Sequence, residues 1–132
     1  MARDRRGASA AELALVMPLL LLLAVGVADL GRAFNNYIVI TNASREGARY
    51  ASHFPSYKAG IENATIAEAA GSGVALTATN ISIIGLGTAT GQPIKVQITY
   101  DFSTIVGSIA GLPNLTLRSG TEMVVFGPNS PP

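Results

Sequence analysis

The 132-residue sequence has no cysteine, no tryptophan, one histidine and few charged residues. The absence of cysteine excludes disulfide scaffolds and thiolate metal sites. Nine basic and eight acidic residues give a formal net charge of +1, which argues against a nucleic-acid-binding domain, normally strongly basic. Charged residues make up 13% of the chain and the mean hydropathy is +0.38, a combination that is unusual for a soluble protein and indicates membrane contact.

The hydrophobic residues are concentrated near the N-terminus. Residues 13–28 read LALVMPLLLLLAVGVA, without a charged or polar side chain. Counted from Ala8 to Ala28, a helix would extend roughly 30 Å, about the thickness of a bilayer core. The arginines of the preceding MARDRRG place the N-terminus in the cytoplasm by the positive-inside rule. Three interpretations are open: an uncleaved anchor, a signal peptide cut before Asp29, and a segment cut near Gly7 and kept as a helix.

Helical periodicity continues past Asp29, which weakens the signal-peptide interpretation. Apolar residues recur at spacings of three and four, with polar residues between them. We therefore predict one helix over about residues 8–52. Its first part, about 8–28, is apolar all round and membrane-embedded, whereas its second part, about 29–52, is amphipathic.

Three residues within this predicted helix are candidates for kinking or close packing. Pro18 can kink the helix because proline removes the backbone hydrogen bond to the carbonyl four residues earlier. Gly26 and Gly31 loosen it further. Small residues such as Ala24 and Ala28, four positions apart, also allow a neighbouring helix to approach, although an alanine-rich segment produces such pairs by chance.

The rest of the chain, residues 53–132, predicts a small extracytoplasmic α+β domain with a disordered tail from residue 129. Pro55 ends the long helix because it disfavours helical geometry at the residue before it. The fold class is therefore α+β, a long N-terminal helix packed against a small antiparallel sheet. The predicted elements are a short helix at 61–70 and strands at 80–84, 94–102 and 115–126.

Short motifs flank the apolar run. Gly7 directly follows a group of basic residues, and Glu12 is the fifth residue after that glycine. The sequence DLGR at 29–32 closes the run, and ASREGAR at 43–49 lies near the predicted helix end. Together, over about residues 5–52, these motifs resemble the N-terminus of the TadE-like pseudopilins, minor pilins of the tight-adherence (Flp, type IVb) pilus system.

The resemblance implies cleavage by prepilin peptidase between Gly7 and Ala8, so that residues 1–7 are a leader and the mature chain keeps its helix. It also implies an assembly role for Glu12. In type IV pilins the equivalent carboxylate is proposed to pair with the new α-amine of a neighbouring subunit, which would offset the cost of a carboxylate in hydrocarbon. The alternative is that Glu12 extends to the membrane interface at the start of the helix, where the helix dipole favours it.

Three charged residues near the end of the long helix are candidates for docking of a partner: Arg45, Glu46 and Arg49. The alternative is a solvated helix end, in which Glu46 and Arg49 form an ordinary pair three residues apart.

The sequence offers no clear catalytic or cofactor-binding pattern. His53 is the single histidine, so a His-based metal site is not expected, and the loop GLGTATG at 85–91 lacks the third glycine of a dinucleotide-binding motif. We therefore expect a protein that is not an enzyme, needs no cofactor or metal, and binds neither nucleic acid nor a small-molecule substrate.

The location implied by the resemblance is the bacterial inner membrane, as a single-pass protein with the N-terminus in the cytoplasm, from which it would join an extracellular pilus. The implied partners are prepilin peptidase, other pilins, the pilus assembly platform and membrane lipid. The alternatives are a domain secreted after signal-peptide cleavage and a single-pass anchored adhesion module.

Overall fold

The computed structural model describes residues 5–127, and the side chains from Gly7 onward. Residues 1–4 of the predicted leader and the predicted tail from residue 129 lie outside the described part. The fold is α+β, as predicted. In chain order the elements are α1 (Arg5–His53), α2 (Lys58–Ala69), a 3₁₀ turn (Ala78–Asn80), β1 (Ile81–Ile84), β2 (Pro93–Phe102), α3 (Ile105–Ala110) and β3 (Leu115–Val124).

Helix α1 is a single helix of 49 residues, about 73 Å long at the usual rise per residue. It continues through Pro18 without interruption. At its C-terminal end the Phe54 amide donates to the Tyr50 carbonyl at 3.0 Å, and the chain then turns at Pro55. The predicted single helix over both halves is therefore confirmed.

The sheet has three antiparallel strands in the order β1-β2-β3, with β2 in the centre. Residues alternate along β2, so that Ile94, Val96 and Ile98 are fully buried between the sheet and the helices. Arg118 and Glu122 on β3 point outward and are exposed, as predicted. One face of the sheet therefore packs against α1 and the other meets solvent.

Strand β2 runs back along α1, toward the apolar run. Near the C-terminal end of α1, the Phe126 amide that follows β3 donates to the Ser52 carbonyl at 3.0 Å. At the other end of the sheet, the Arg32 guanidinium lies 5.1 Å from the centroid of the Phe102 ring. The connection from β2 to β3, which contains α3, is consequently the part of the domain nearest the apolar run.

Hydroxyl groups join α1 to β3. The Thr41 and Ser119 hydroxyls lie 3.0 Å apart, and the Ser44 and Thr121 hydroxyls lie 2.8 Å apart. Ser44 is fully buried, and these bonds satisfy polar groups that would otherwise be costly to bury. They also fix the register of β3 along the helix.

Several boundaries differ from the prediction by one to three residues, and two short elements, the 3₁₀ turn and α3, were not predicted. Helix α2 begins three residues before the predicted start, and β1 begins one residue later because residues 78–80 form the 3₁₀ turn. Strand β3 ends at Val124, since the next two amides bond to Gln92 and Ser52. Helix α3 lies in a stretch that the sequence analysis left without an element.

Candidate functional site

The part of α1 before Asp29 is hardly covered by the rest of the described chain, and we call it the bare half of α1; the part from Asp29 onward is the packed half. Every residue from 7 to 24 is exposed, including the large leucines of the apolar run. In its most apolar stretch of 18 residues, only 6% is buried within the structure, whereas the core helix of a soluble protein would be covered by other elements. Among the described residues this is the one helix long and apolar enough to cross a membrane, and it fits a single-pass anchor.

The predicted cleavage and assembly residues lie at the start of this bare half. Gly7, Ala8 and Glu12 are exposed and helical. Ala8 and Glu12 are four residues apart and so lie on one face of the helix. The Glu12 side chain is exposed, and no hydrogen-bond or ion-pair partner for its carboxylate lies within residues 7–127.

The predicted packing glycines have open space around them. A Cβ added at Gly26 or Gly31 would meet no atom within 4 Å. Gly26 lines an apolar groove of about 430 Å³ together with Leu22, Val27 and Val106. Gly31 lines a more polar groove of about 660 Å³ between α1 and the end of the sheet. Within residues 7–127, no neighbouring atom requires glycine at either position.

Asp29, the first charged residue after the apolar run, connects α1 to α3. Its side chain is buried, with the residue 5% exposed. One carboxylate oxygen accepts a hydrogen bond from the Val106 amide of α3 at 2.8 Å, and the other lies 3.0 Å from Arg32. Arg32 in turn stacks over the Phe102 ring. A buried carboxylate is tolerated when it is paired in this way, and Asp29 holds α3 against α1.

The sequence analysis missed this role of Asp29, because its partner is 77 positions away in the chain. A signal was nevertheless present. Asp29 and Ala33 are one turn apart, and the same helical face continues to Ile40 and Ala43, all of them buried. The buried face of α1 thus begins at Asp29 itself, and a polar residue on such a face needs a partner.

At the other end of α1, Glu46 and Arg49 form an ion pair. The Arg49 Nε donates to the Glu46 carboxylate at 2.8 Å. This hydrogen bond, helped by the charge of Arg49, lowers the pKa of Glu46, and the same bond raises the pKa of Arg49. Arg45 is exposed and lies outside this pair. Partner docking by these three residues stays a prediction.

The comparisons with known proteins concern this helix. The family model described as TadE-like protein matches residues 7–49. The matched segment is TadE-like. No curated protein matches the chain, and no solved structure does. The resemblance inferred from the sequence is thereby confirmed over residues 7–49.

The TadE-like segment comprises the bare half of α1 and most of its packed half, and it leaves the sheet outside the match. It begins at Gly7, the residue at which the sequence analysis places the end of the leader. Within the described residues 5–127 no group of three or more His, Asp or Glu side chains is arranged to hold a metal ion. What the TadE-like segment offers is an exposed apolar helix attached to a folded domain.

Proposed function

We propose that this chain is a TadE-like minor pilin, inserted in the bacterial inner membrane with its N-terminus in the cytoplasm, and acting in assembly of a tight-adherence (Flp, type IVb) pilus. One observation carries the proposal. The TadE-like match begins at Gly7 and continues through the apolar run into the domain along one uninterrupted helix. On this proposal the whole helix from Ala8 onward is kept in the mature protein.

Processing by prepilin peptidase is the first step. Hydrolysis of the Gly7–Ala8 peptide bond consumes one water and leaves a carboxylate on Gly7 and an α-amine on Ala8. Residues 1–7 carry three arginines and one aspartate. Their removal takes most of the charge from the cytoplasmic end, which lowers the cost of later withdrawing the helix from the bilayer.

Assembly is the second step. The bare half of α1 is covered by lipid in the membrane and by the helices of other pilins in a pilus. The open space around Gly26 and Gly31 lets a neighbouring helix approach closely. The Glu12 carboxylate, which has no partner within residues 7–127, pairs with the Ala8 amine of another subunit and so avoids a lone charge in hydrocarbon.

Three segments of the chain have different roles in these steps. Residues 1–7 are the leader, residues 8–52 the assembly helix, and residues 53–132 the extracytoplasmic domain. On the domain-side end of the helix, Arg45 and the Glu46–Arg49 pair form a charged surface for docking of the assembly platform or another pilin.

The cleavage step is tested on the full chain in lipid vesicles with added prepilin peptidase. Gly7→Ala should abolish cleavage, because a residue without a side chain is drawn most easily into an extended conformation in a protease cleft. Gly26→Ala is the matched control and should be cleaved like the unaltered chain. Equal cleavage of both variants, or cleavage at any bond other than Gly7–Ala8, would contradict the proposal.

The assembly step is tested with Glu12→Ala in cells that make the pilus. The variant should be cleaved normally but incorporated poorly, since its subunits lack the carboxylate that pairs with the amine. Glu68→Ala removes an exposed carboxylate from α2 and should be both cleaved and incorporated. Normal incorporation of Glu12→Ala would show that the pairing role is wrong.

A further inference from the structure

Helix α3 occupies the end of the domain nearest the apolar run. It follows directly after β2, whose last residue, Phe102, lies beneath Arg32. Asp29 accepts the hydrogen bond of the Val106 amide at 2.8 Å. This contact places α3 level with the point at which the apolar run of α1 ends and the first charged residue appears.

The exposed surface of α3 and the loop after it is uncharged and mostly apolar, with Ser108 and Asn114 as its exposed polar side chains. Ile109 is 76% exposed and Leu112 is 60% exposed. Ile105, one turn before Ile109 on the same face, is also exposed. No charged residue occurs between Asp101 and Arg118. Solvent-facing loops are ordinarily polar, so this composition indicates a surface that is covered by something apolar.

This surface is continuous with the bare half of α1. Val106 lines the apolar groove of about 430 Å³ whose other walls are residues of the apolar run. On α1 the groove extends from the leucine run to Leu30, beside the Asp29 contact, and its lining includes Leu22, Leu23, Gly26, Val27 and Leu30. One apolar surface therefore includes both the span and α3.

We propose that α3 and the following loop insert into the outer face of the bilayer, so that the domain rests on the membrane with Ile109 and Leu112 at the boundary between headgroups and acyl chains. The occupant of this surface is lipid because the surface is an extension of the span that lipid surrounds. An exposed apolar face at the level of the membrane surface is buried favourably at the boundary between headgroups and acyl chains. This inference rests on the membrane anchoring in the proposed function.

Insertion of α3 would have a mechanical consequence for the domain. Asp29 and Arg32 tie α3 and the end of β2 to α1. With α3 in the interface, the domain has two points of attachment to the membrane and is held at a fixed height and rotation. Withdrawal of the subunit into a pilus would then expose the same apolar surface to neighbouring subunits.

The absence of tryptophan permits a direct test with single reporters in the full chain, reconstituted in phosphatidylcholine–phosphatidylglycerol vesicles. Ile109→Trp should lose most of its emission when the lipids carry bromine on the upper part of the acyl chain, and it should be protected from aqueous acrylamide. Phe126→Trp is the matched control, an exposed apolar residue near Ser52 at the far end of the domain. It should show the opposite pattern.

The outcomes separate this inference from the anchoring itself. Leu21→Trp reports on the span, and its quenching by deeply brominated lipid is expected. If Leu21→Trp is quenched but Ile109→Trp responds to both quenchers like Phe126→Trp, the insertion of α3 is wrong and the anchor stands. If Ile109→Trp is protected from acrylamide without quenching by brominated lipid, protein rather than lipid covers α3, and the inference is overturned. If Leu21→Trp itself escapes quenching, the anchor fails and the inference falls with it.

Discussion

The two halves of α1 differ in what covers them. In the half before Asp29, the leucine side chains are exposed, with Leu21 60% accessible. In the half after it, Ile40, Ala43 and Ala48 are fully buried against the sheet and α2. Within residues 7–127, one half of this helix is therefore covered by its own chain and the other half is not.

The two halves of α1 differ in sequence in a way that matches this difference in exposure. The packed half follows the rules of a soluble domain, with small residues where other elements approach and hydroxyls that find partners on β3. The bare half follows the rules of a segment surrounded by lipid or by other helices. Asp29 marks the change, and substitutions matched across the two halves test whether the division is real.

The largest contrast is expected for truncation of a large apolar side chain. Ile40→Ala leaves a cavity in the packed half and should lower the free energy of unfolding of the domain by about 2–5 kcal/mol. Leu21→Ala removes an exposed side chain from the bare half and should leave that value unchanged in detergent micelles. Thermal and denaturant unfolding followed by circular dichroism measures both. Equal destabilisation by the two variants would mean that the bare half is packed within the chain.

The glycines give a second contrast, with the same substitution in the same helix. A Cβ at Gly47 would collide with the hydroxyl of Thr65, a buried residue of α2, and come within 3.1 Å of Val96. Gly47→Ala should therefore destabilise the domain by about 1–3 kcal/mol. Gly26→Ala meets open space and should leave domain stability unchanged while weakening assembly with other pilins. The same unfolding measurement decides, and a neutral Gly47→Ala would contradict the close approach of α1 and α2.

The junction between the halves is expected to have a smaller, local effect. Asp29→Ala removes the acceptor for the Val106 amide, and that amide should exchange with solvent roughly five- to tenfold faster, as for loss of a helix cap. Asp29→Asn keeps an acceptor oxygen and should retain most of the protection. Hydrogen exchange read at Val106 tests this, and unchanged exchange in Asp29→Ala would show that α3 is held by other contacts.

The smallest effect is expected at the exposed end of the packed half. Glu46→Gln weakens the pair with Arg49 and should lower the Tm of the domain by about 1–2 °C. Because Arg49 lowers the pKa of Glu46, the stabilisation is complete above the ordinary glutamate pKa and disappears as the pH falls through the lowered value. The Tm difference between the variant and the unaltered chain should therefore vanish in acid, and a difference that persists there would contradict this cause.

Much of the fold was predictable because it depends on local patterns. The alternation of Ile94, Val96 and Ile98 identified the central strand, and the continuous three-to-four spacing identified α1 as one helix. Pro55 marked the end of that helix. Each of these signals lies within about ten residues of the feature it predicts.

What the sequence analysis missed depends on distant partners. Helix α3 has only six residues, too few for the spacing of Ile105 and Ile109 to stand out as a helical pattern, and Gly107 lies in its interior. It is stabilised at its start by the Thr104 hydroxyl, which accepts from the Gly107 amide, and by Asp29 from α1. The motifs at Gly7 and Glu12 were visible from their spacing, but the junction at Asp29 required the fold.

The central claim is that the bare half of α1 belongs to the mature protein. The most direct measurement is the intact mass of the chain purified from the membrane fraction of cells that contain prepilin peptidase. We expect a chain that begins at Ala8. A chain that begins at Asp29 would identify a cleaved signal peptide, one that retains residues 1–7 would identify a simple anchor, and either would contradict the claim that this helix is processed as a pilin.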